Sequence, residues 1–148
     1  MSKLKVQQPI IHLPAFTEYS ISLPDLNALL LKAGIAQIYL WDWTFWYVNL
    51  EDWGRVFADV LLNMPKYTTE KFDCENFALL TSARVSSIYQ LNTCGVAIGE
   101  SPFGEHGYNL FVARVDNETK LFILEPQNGM IYPIEQSESY KPRLVFIG

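Results

Sequence analysis

The chain has 148 residues, 49% of them hydrophobic and only 18% charged, which is enough apolar material for one domain with a sizeable core and too much for a disordered chain. Its 11 basic and 16 acidic residues leave a formal charge of −5, with no run of Lys or Arg able to track phosphates, so nucleic acid is excluded as an expected partner. No apolar stretch approaches the roughly 20 residues of a membrane span, and no signal-peptide core follows Met1–Lys5, so no membrane contact and a cytoplasmic location are expected.

Residues 1–20 are irregular, punctuated by Pro9 and Pro14 with Pro24 just beyond, and read as a surface arm. Ser22-Leu23-Pro24-Asp25 opens a short helix with Leu26, Leu29 and Leu30 on one side, stopped by Gly34. An aromatic stretch follows, in which Tyr39, Trp41, Trp43, Phe45, Trp46 and Tyr47 crowd together ahead of Trp53. Two uses fit such crowding: burial in the core, or the wall of a substrate groove to which Trp41, Trp43 and Trp46 would contribute. Residues 51–63 carry Trp53, Val56, Phe57, Val60 and Leu61 at helical spacing and end at Pro65. A second long helix starts near Asp73 and bears Phe77, Leu80, Val85, Ile88 and Leu91 on one stripe, with Asn92 as its stop.

Beyond Asn92 the pattern turns to strands: 95–98, 108–115, 121–125, 130–133 and 144–147. The expected architecture is therefore α+β, one domain over 1–148. A mainly helical half, 21–92, packs on an antiparallel sheet half, 93–148.

Chemistry concentrates at three points. Cys74 follows Asp73, and if Asp73 caps the helix the thiol lies in the first turn, where the helix dipole favours a thiolate and free N–H groups can hold an oxyanion. His106 sits between Glu105 and Gly107 at the mouth of a strand, whereas His12 has no companion motif. If 116–119 forms the hairpin turn with Asp116 opposite Thr119, His106 shares a face with both Glu125 and Gln127, with Glu125 opposite Leu110 and roughly 13 Å along the strand from His106. Glu125 is the preferred partner, because a carboxylate best stabilises an imidazolium, and Gln127 is the alternate. Cys94, at the start of a strand, reads as a packed small hydrophobe, and both thiols read as free.

Asp73-Cys74-Glu75-Asn76-Phe77-Ala78, Glu105-His106-Gly107-Tyr108-Asn109 and Leu124-Glu125-Pro126-Gln127 together resemble the transglutaminase-like and papain-like cysteine hydrolases. The likeness extends to bacterial transglutaminase-like cysteine proteinases and to the papain-like domain of certain fungal lectins, and covers roughly residues 67 to 132. It implies a papain/transglutaminase-like core and a catalytic triad with Cys74 as nucleophile, His106 as base and Glu125 as orienter. It also implies thiol-protease chemistry on the amide or thioester of a peptide or protein substrate, without a cofactor. Two other classes stay open. One is a catalytically inactive domain of the same fold that contacts a protein or glycan through the aromatic cluster. The other is a site for calcium or manganese at Asp73, Glu75, Glu105 and His106, a weak signature since no metal-binding motif is present and no metal is expected. Nothing in the sequence fixes the oligomeric state.

Overall fold

The computed structural model describes residues 16–148. Strand β1 (Tyr19–Ser22) leads into helix α1 (Leu23–Lys32), and strands β2 (Gln37–Leu40) and β3 (Thr44–Tyr47) precede helices α2 (Leu50–Val60) and α3 (Cys74–Arg84). A π-helical turn, Val85–Tyr89, extends α3. The chain then forms β4 (Gly95–Ser101), β5 (Gly104–Val115), β6 (Glu118–Glu125), β7 (Met130–Pro133) and β8 (Lys141–Ile147). The architecture is α+β. Among the described residues no helix is long and apolar enough to cross a membrane.

Local chemistry sets the element boundaries. Ser22 caps α1 by accepting the Asp25 N–H at 3.3 Å, and Gly34 adopts φ +84° just past its end, a conformation that costs a glycine little. Asn49 caps α2 by accepting the Asp52 N–H at 2.8 Å. The apolar stripe expected on α2 is the buried one: Trp53, Val56, Phe57 and Val60 face inward. Trp53 stacks on Phe57 with ring centroids 5.0 Å apart and donates its indole N–H to the Val112 carbonyl at 2.7 Å. A fully buried Trp thus leaves no unpaired donor in the core.

Two details differ from the expected purely antiparallel sheet of the C-terminal half. The six-stranded sheet runs β2-β8-β4-β5-β6-β7, and its edge strand β2 comes from the N-terminal half and pairs parallel with β8. In addition, β1 and β3 form a separate antiparallel pair. Parallel pairing joins segments distant in sequence and leaves no turn signature between them, so periodicity alone does not reveal it. Of the expected arm, residues 1–15 and with them His12 lie outside the described residues, while Tyr19 and Ser20 are already in β1, opposite Tyr47 and Trp46.

The β5–β6 register bears directly on the site. Asp116 and Asn117 both have positive φ, 49° and 61°, and Val115 faces Glu118. These two residues make a primed hairpin turn, the type whose twist suits the flanking strands. The turn lies one position earlier than 116–119 with Asp116 opposite Thr119, so Leu110 faces Ile123 and Asn109 faces Leu124. Continuing that register sets Glu125 opposite Tyr108, one two-residue step from His106 instead of two. The face is unchanged, and the long gap expected from the sequence closes.

Candidate functional site: a thiol beside a buried His–Glu pair

Cys74 is the first residue of α3. Asn76 accepts the backbone N–H of Asp73 through its side-chain oxygen at 3.2 Å, and Asp73 accepts the Glu70 N–H at 3.1 Å, tying the helix start to the preceding turn. The other Asp73 carboxylate oxygen is buried without a partner. The Cys74 thiol is partly exposed and donates to a Glu75 carboxylate oxygen at 3.3 Å.

Gly107 is what brings the sheet to this thiol. A Cβ at Gly107 would lie 2.9 Å from the Cα of Glu75, so only glycine lets β5 approach the first turn of α3 this closely. The same approach brings the Gly107 N–H to the Cys74 sulfur. His106, the next residue, is 7% exposed and its Nε2 lies 2.8 Å from Oε2 of Glu125, itself 1% exposed. With Nε2 engaged there, Nδ1 is the ring nitrogen that Glu125 does not take. The edge of the Phe103 ring packs on the imidazole at 5.6 Å.

Glu125 is held at both oxygens. The Gln127 N–H donates to Oε1 at 3.3 Å, and the Tyr140 hydroxyl donates to Oε2 at 3.1 Å. Gln127 thus meets the pair through its backbone, while its side chain lies in an exposed position. Tyr140, a residue absent from the sequence reading, is buried and braced by Tyr108 and Tyr132, with both ring centroids 5.1 Å away.

The electrostatics of the thiol differ from the expected depressed pKa. Burial pushes the Cys74 thiol above its ordinary value, and the Glu75 carboxylate adds to that rise through its hydrogen bond and its charge. The Gly107 N–H acts in the opposite direction. Glu75 is held below the usual carboxylate range, first by its own backbone N–H at the helix start, with the Cys74 thiol donating to it as well. The backbone N–H groups of Gly107 and Glu75 lower the thiol pKa, but by less than the cost of removing water and adding an anion next to the sulfur. In this arrangement the sulfur carries its proton, and a base is needed to take it.

The three tryptophans lie elsewhere. Trp41 donates its backbone N–H to the Ile147 carbonyl at the far end of β8, whereas His106 is level with Gly99, which faces Pro142 near the start of β8. The five residue steps from Pro142 to Ile147 span roughly 17 Å along the strand. Trp41 and Trp43 are 75% and 82% exposed, and Trp46 is 43% exposed. The structure therefore gathers Cys74, His106 and Glu125 and leaves Trp41, Trp43 and Trp46 outside that group. Among the described residues no cluster of three or more His, Cys, Asp or Glu side chains is placed to hold a metal ion, and Glu105 turns outward to pair with Arg143. Cys94 is buried, and burial raises its thiol pKa beyond the ordinary range.

No family model matches the chain, and no curated protein matches it. Solved structures do. The structure named as the PSL1a–E64 complex superposes with a TM-score of 0.72 at 23% identity, covering 86% of this chain and 51% of the other. The fold is shared with a lectin chain. The crystal structure of Polyporus squamosus lectin bound to the human-type influenza-binding epitope Neu5Acα2-6Galβ1-4GlcNAc matches with a TM-score of 0.68 at 22% identity, covering 86% of this chain and 49% of that one. The chain thus spans about half the length of these structures, and the lectin name belongs to a whole of which this fold is one half.

These matches correct the resemblance drawn from the sequence. Of the structures sharing this fold, the second is named as a lectin and neither as a transglutaminase-like or papain-like cysteine hydrolase, so neither that kinship nor a papain-like core is retained. The thiol-protease description and the expected peptide or protein substrate fall with it, since the partner named in the second structure is a glycan. The physical reason is general: three short motifs record a local constellation of side chains, and such constellations recur on different folds.

Proposed function

We propose that this domain carries thiol-dependent acyl chemistry at Cys74, with His106 as base and Glu125 as the residue that orients it. The observation that carries this reading is the buried His106–Glu125 pair at 2.8 Å on the strand whose next residue, Gly107, packs against the first turn of α3 beside Cys74. A buried imidazole with one nitrogen on a carboxylate and the other available to a thiol is the arrangement that lets a protonated thiol act as a nucleophile. In the first step the Cys74 proton passes to Nδ1 of His106 as sulfur bonds to the carbonyl carbon of an acyl compound. The imidazolium is stabilised by Glu125 and returns the proton to the leaving group. Water or an amine, deprotonated by the same imidazole, then releases the acyl group and regenerates the thiol. The Cys74 backbone N–H at the start of α3 is suited to the developing oxyanion.

The test is alkylation of the native protein by iodoacetamide across pH 5 to 9.5, resolved by mass spectrometry into Cys74 and Cys94. Cys74 is expected to react while Cys94 stays protected, and His106→Ala is expected to slow Cys74 at neutral pH by about tenfold or more. E64, the compound named in one matching complex, is a second probe, with attachment expected at Cys74 and lost in Cys74→Ala. A Cys74 that reacts identically with and without His106 ends this reading.

A second reading is a non-catalytic domain that contacts a glycan, and the names of the neighbouring structures favour it over the covalent one. Its support within the chain is the exposure of Trp41 and Trp43, since indole faces stack on sugar rings. It requires Cys74→Ala to leave glycan binding intact.

A further inference from the structure

The hydrogen bonds around Glu125 are asymmetric. Its Oε1 receives only a long backbone contact from Gln127, whereas Oε2 receives both His106 and the Tyr140 hydroxyl, at 2.8 and 3.1 Å. A carboxylate that is 1% exposed has lost its water and stays ionised only where donors replace that water. Tyr140 supplies the one side-chain hydroxyl that does so among the described hydrogen bonds of Glu125.

The placement of Tyr140 is itself specified. It directly precedes β8, its backbone N–H is fixed by the Ser137 hydroxyl at 2.8 Å, its ring stacks on Tyr132, and Tyr108 meets it edge-on at 84°. Burial and the adjacent Glu125 carboxylate push the phenol far above its ordinary pKa, so it is a donor throughout the physiological range. From the other side Tyr108 is no competitor, because its hydroxyl donates to the Glu100 carbonyl at 3.3 Å.

Resting on the covalent reading of the site, we infer that Tyr140 is its fourth member: a positioning residue that holds Glu125 Oε2 in place as the acceptor facing His106 and thereby sets how readily His106 takes the Cys74 proton. It touches neither the thiol nor an acyl substrate and acts only through Glu125. The titratable groups facing this chain of contacts are Tyr108 from β5, Tyr132 from β7, and Asp73, Cys74 and Glu75 from the start of α3. Glu105 is drawn off by Arg143.

The experiment is the pH profile of Cys74 alkylation in Tyr140→Phe, beside wild type, His106→Ala and Tyr132→Phe. Removing the hydroxyl while keeping the ring weakens the imidazolium and returns the proton to sulfur. Tyr140→Phe is therefore expected to react about tenfold more slowly near pH 6.5, the scale of one hydrogen bond to a charged group. It should converge on wild type near pH 9.5, where bulk hydroxide removes the proton unaided. Tyr132→Phe strips a hydroxyl from the same aromatic stack without touching Glu125, and its profile is expected to overlay wild type. Incorporation of 3-fluorotyrosine at position 140 strengthens the donor and should speed alkylation near pH 6.5, a change of opposite sign that loss of packing cannot produce. The inference is overturned if Tyr140→Phe overlays wild type while His106→Ala does not, or if the Tyr140→Phe deficit is equal at every pH. If His106→Ala itself overlays wild type, the covalent reading fails and the role of Tyr140 fails with it.

Discussion

At the scale of single residues, Glu75 holds back the thiol it neighbours. Its carboxylate accepts the Cys74 S–H and helps raise the thiol pKa. Glu75→Gln keeps the helix start and removes the charge, so Cys74 alkylation at pH 8 is expected to rise roughly two- to fivefold, the size of one solvent-screened charge interaction. The pH of half-maximal reaction should move down. Iodoacetamide kinetics on the folded variant check both. The sign carries over to stability. A thiol whose pKa is raised on folding contributes stability that is fully present below its unfolded pKa and lost as pH rises through the folded one. Cys74 and His106 were legible because Cys and His each occur only twice in this chain and both fall at element boundaries, and Glu125 because strand alternation sets it on the face of His106. Tyr140 was not, because the residues around it, Ser137-Glu138-Ser139-Tyr140-Lys141, carry no periodicity and its partner lies fifteen residues away in sequence.

At the scale of elements, the site depends on how closely β5 packs against α3. Gly107→Ala forces a methyl group against the Glu75 backbone, where the contact would be 2.9 Å. Backbone cannot rotate away as a side-chain tip can, so α3 must shift. The expected result is a loss of roughly 1–3 kcal/mol, the usual cost of overpacking, read as a lower urea midpoint with an unchanged slope. The helices were well predicted because their apolar stripes and caps are local. Strand β2 was hidden, since a four-residue edge strand paired parallel with β8 is specified by contacts a hundred residues away. The turn was set one position late, shifting cross-strand partners by two residues, because a turn containing Asp116, Asn117 and Glu118 does not announce which two residues take positive φ. The observed choice, Asp116 and Asn117, is the one that suits Asp and Asn side chains.

At the scale of the whole molecule, two surfaces are separated by the length of the sheet. The thiol site lies level with the start of β8, and the exposed indole of Trp41 lies at its far end. The aromatic stretch looked uniform in sequence, yet it divides: Phe45, Tyr47 and Trp53 are buried, while Trp41 and Trp43 face solvent. Composition cannot separate the two groups, because the same ring serves equally well as core and as platform. If the exposed pair contacts a glycan, Trp43→Ala should weaken binding of Neu5Acα2-6Galβ1-4GlcNAc at least tenfold by calorimetry, by loss of a stacking face, and leave Cys74 alkylation unchanged. Undiminished binding would remove the tryptophans from that role.

The contact between Gly107 and Glu75 also makes the sulfur a gauge of how the two halves of the domain sit. Cys74 rides on a helix, and His106 and Glu125 ride on the sheet, with nothing wider than a hydrogen atom where Gly107 meets Glu75. A helix advances about 1.5 Å per residue, so a slide of less than one residue is enough to part thiol from imidazole while every strand keeps its pairing. Chemistry at Cys74 should therefore fade on warming before circular dichroism records any loss of helix or sheet.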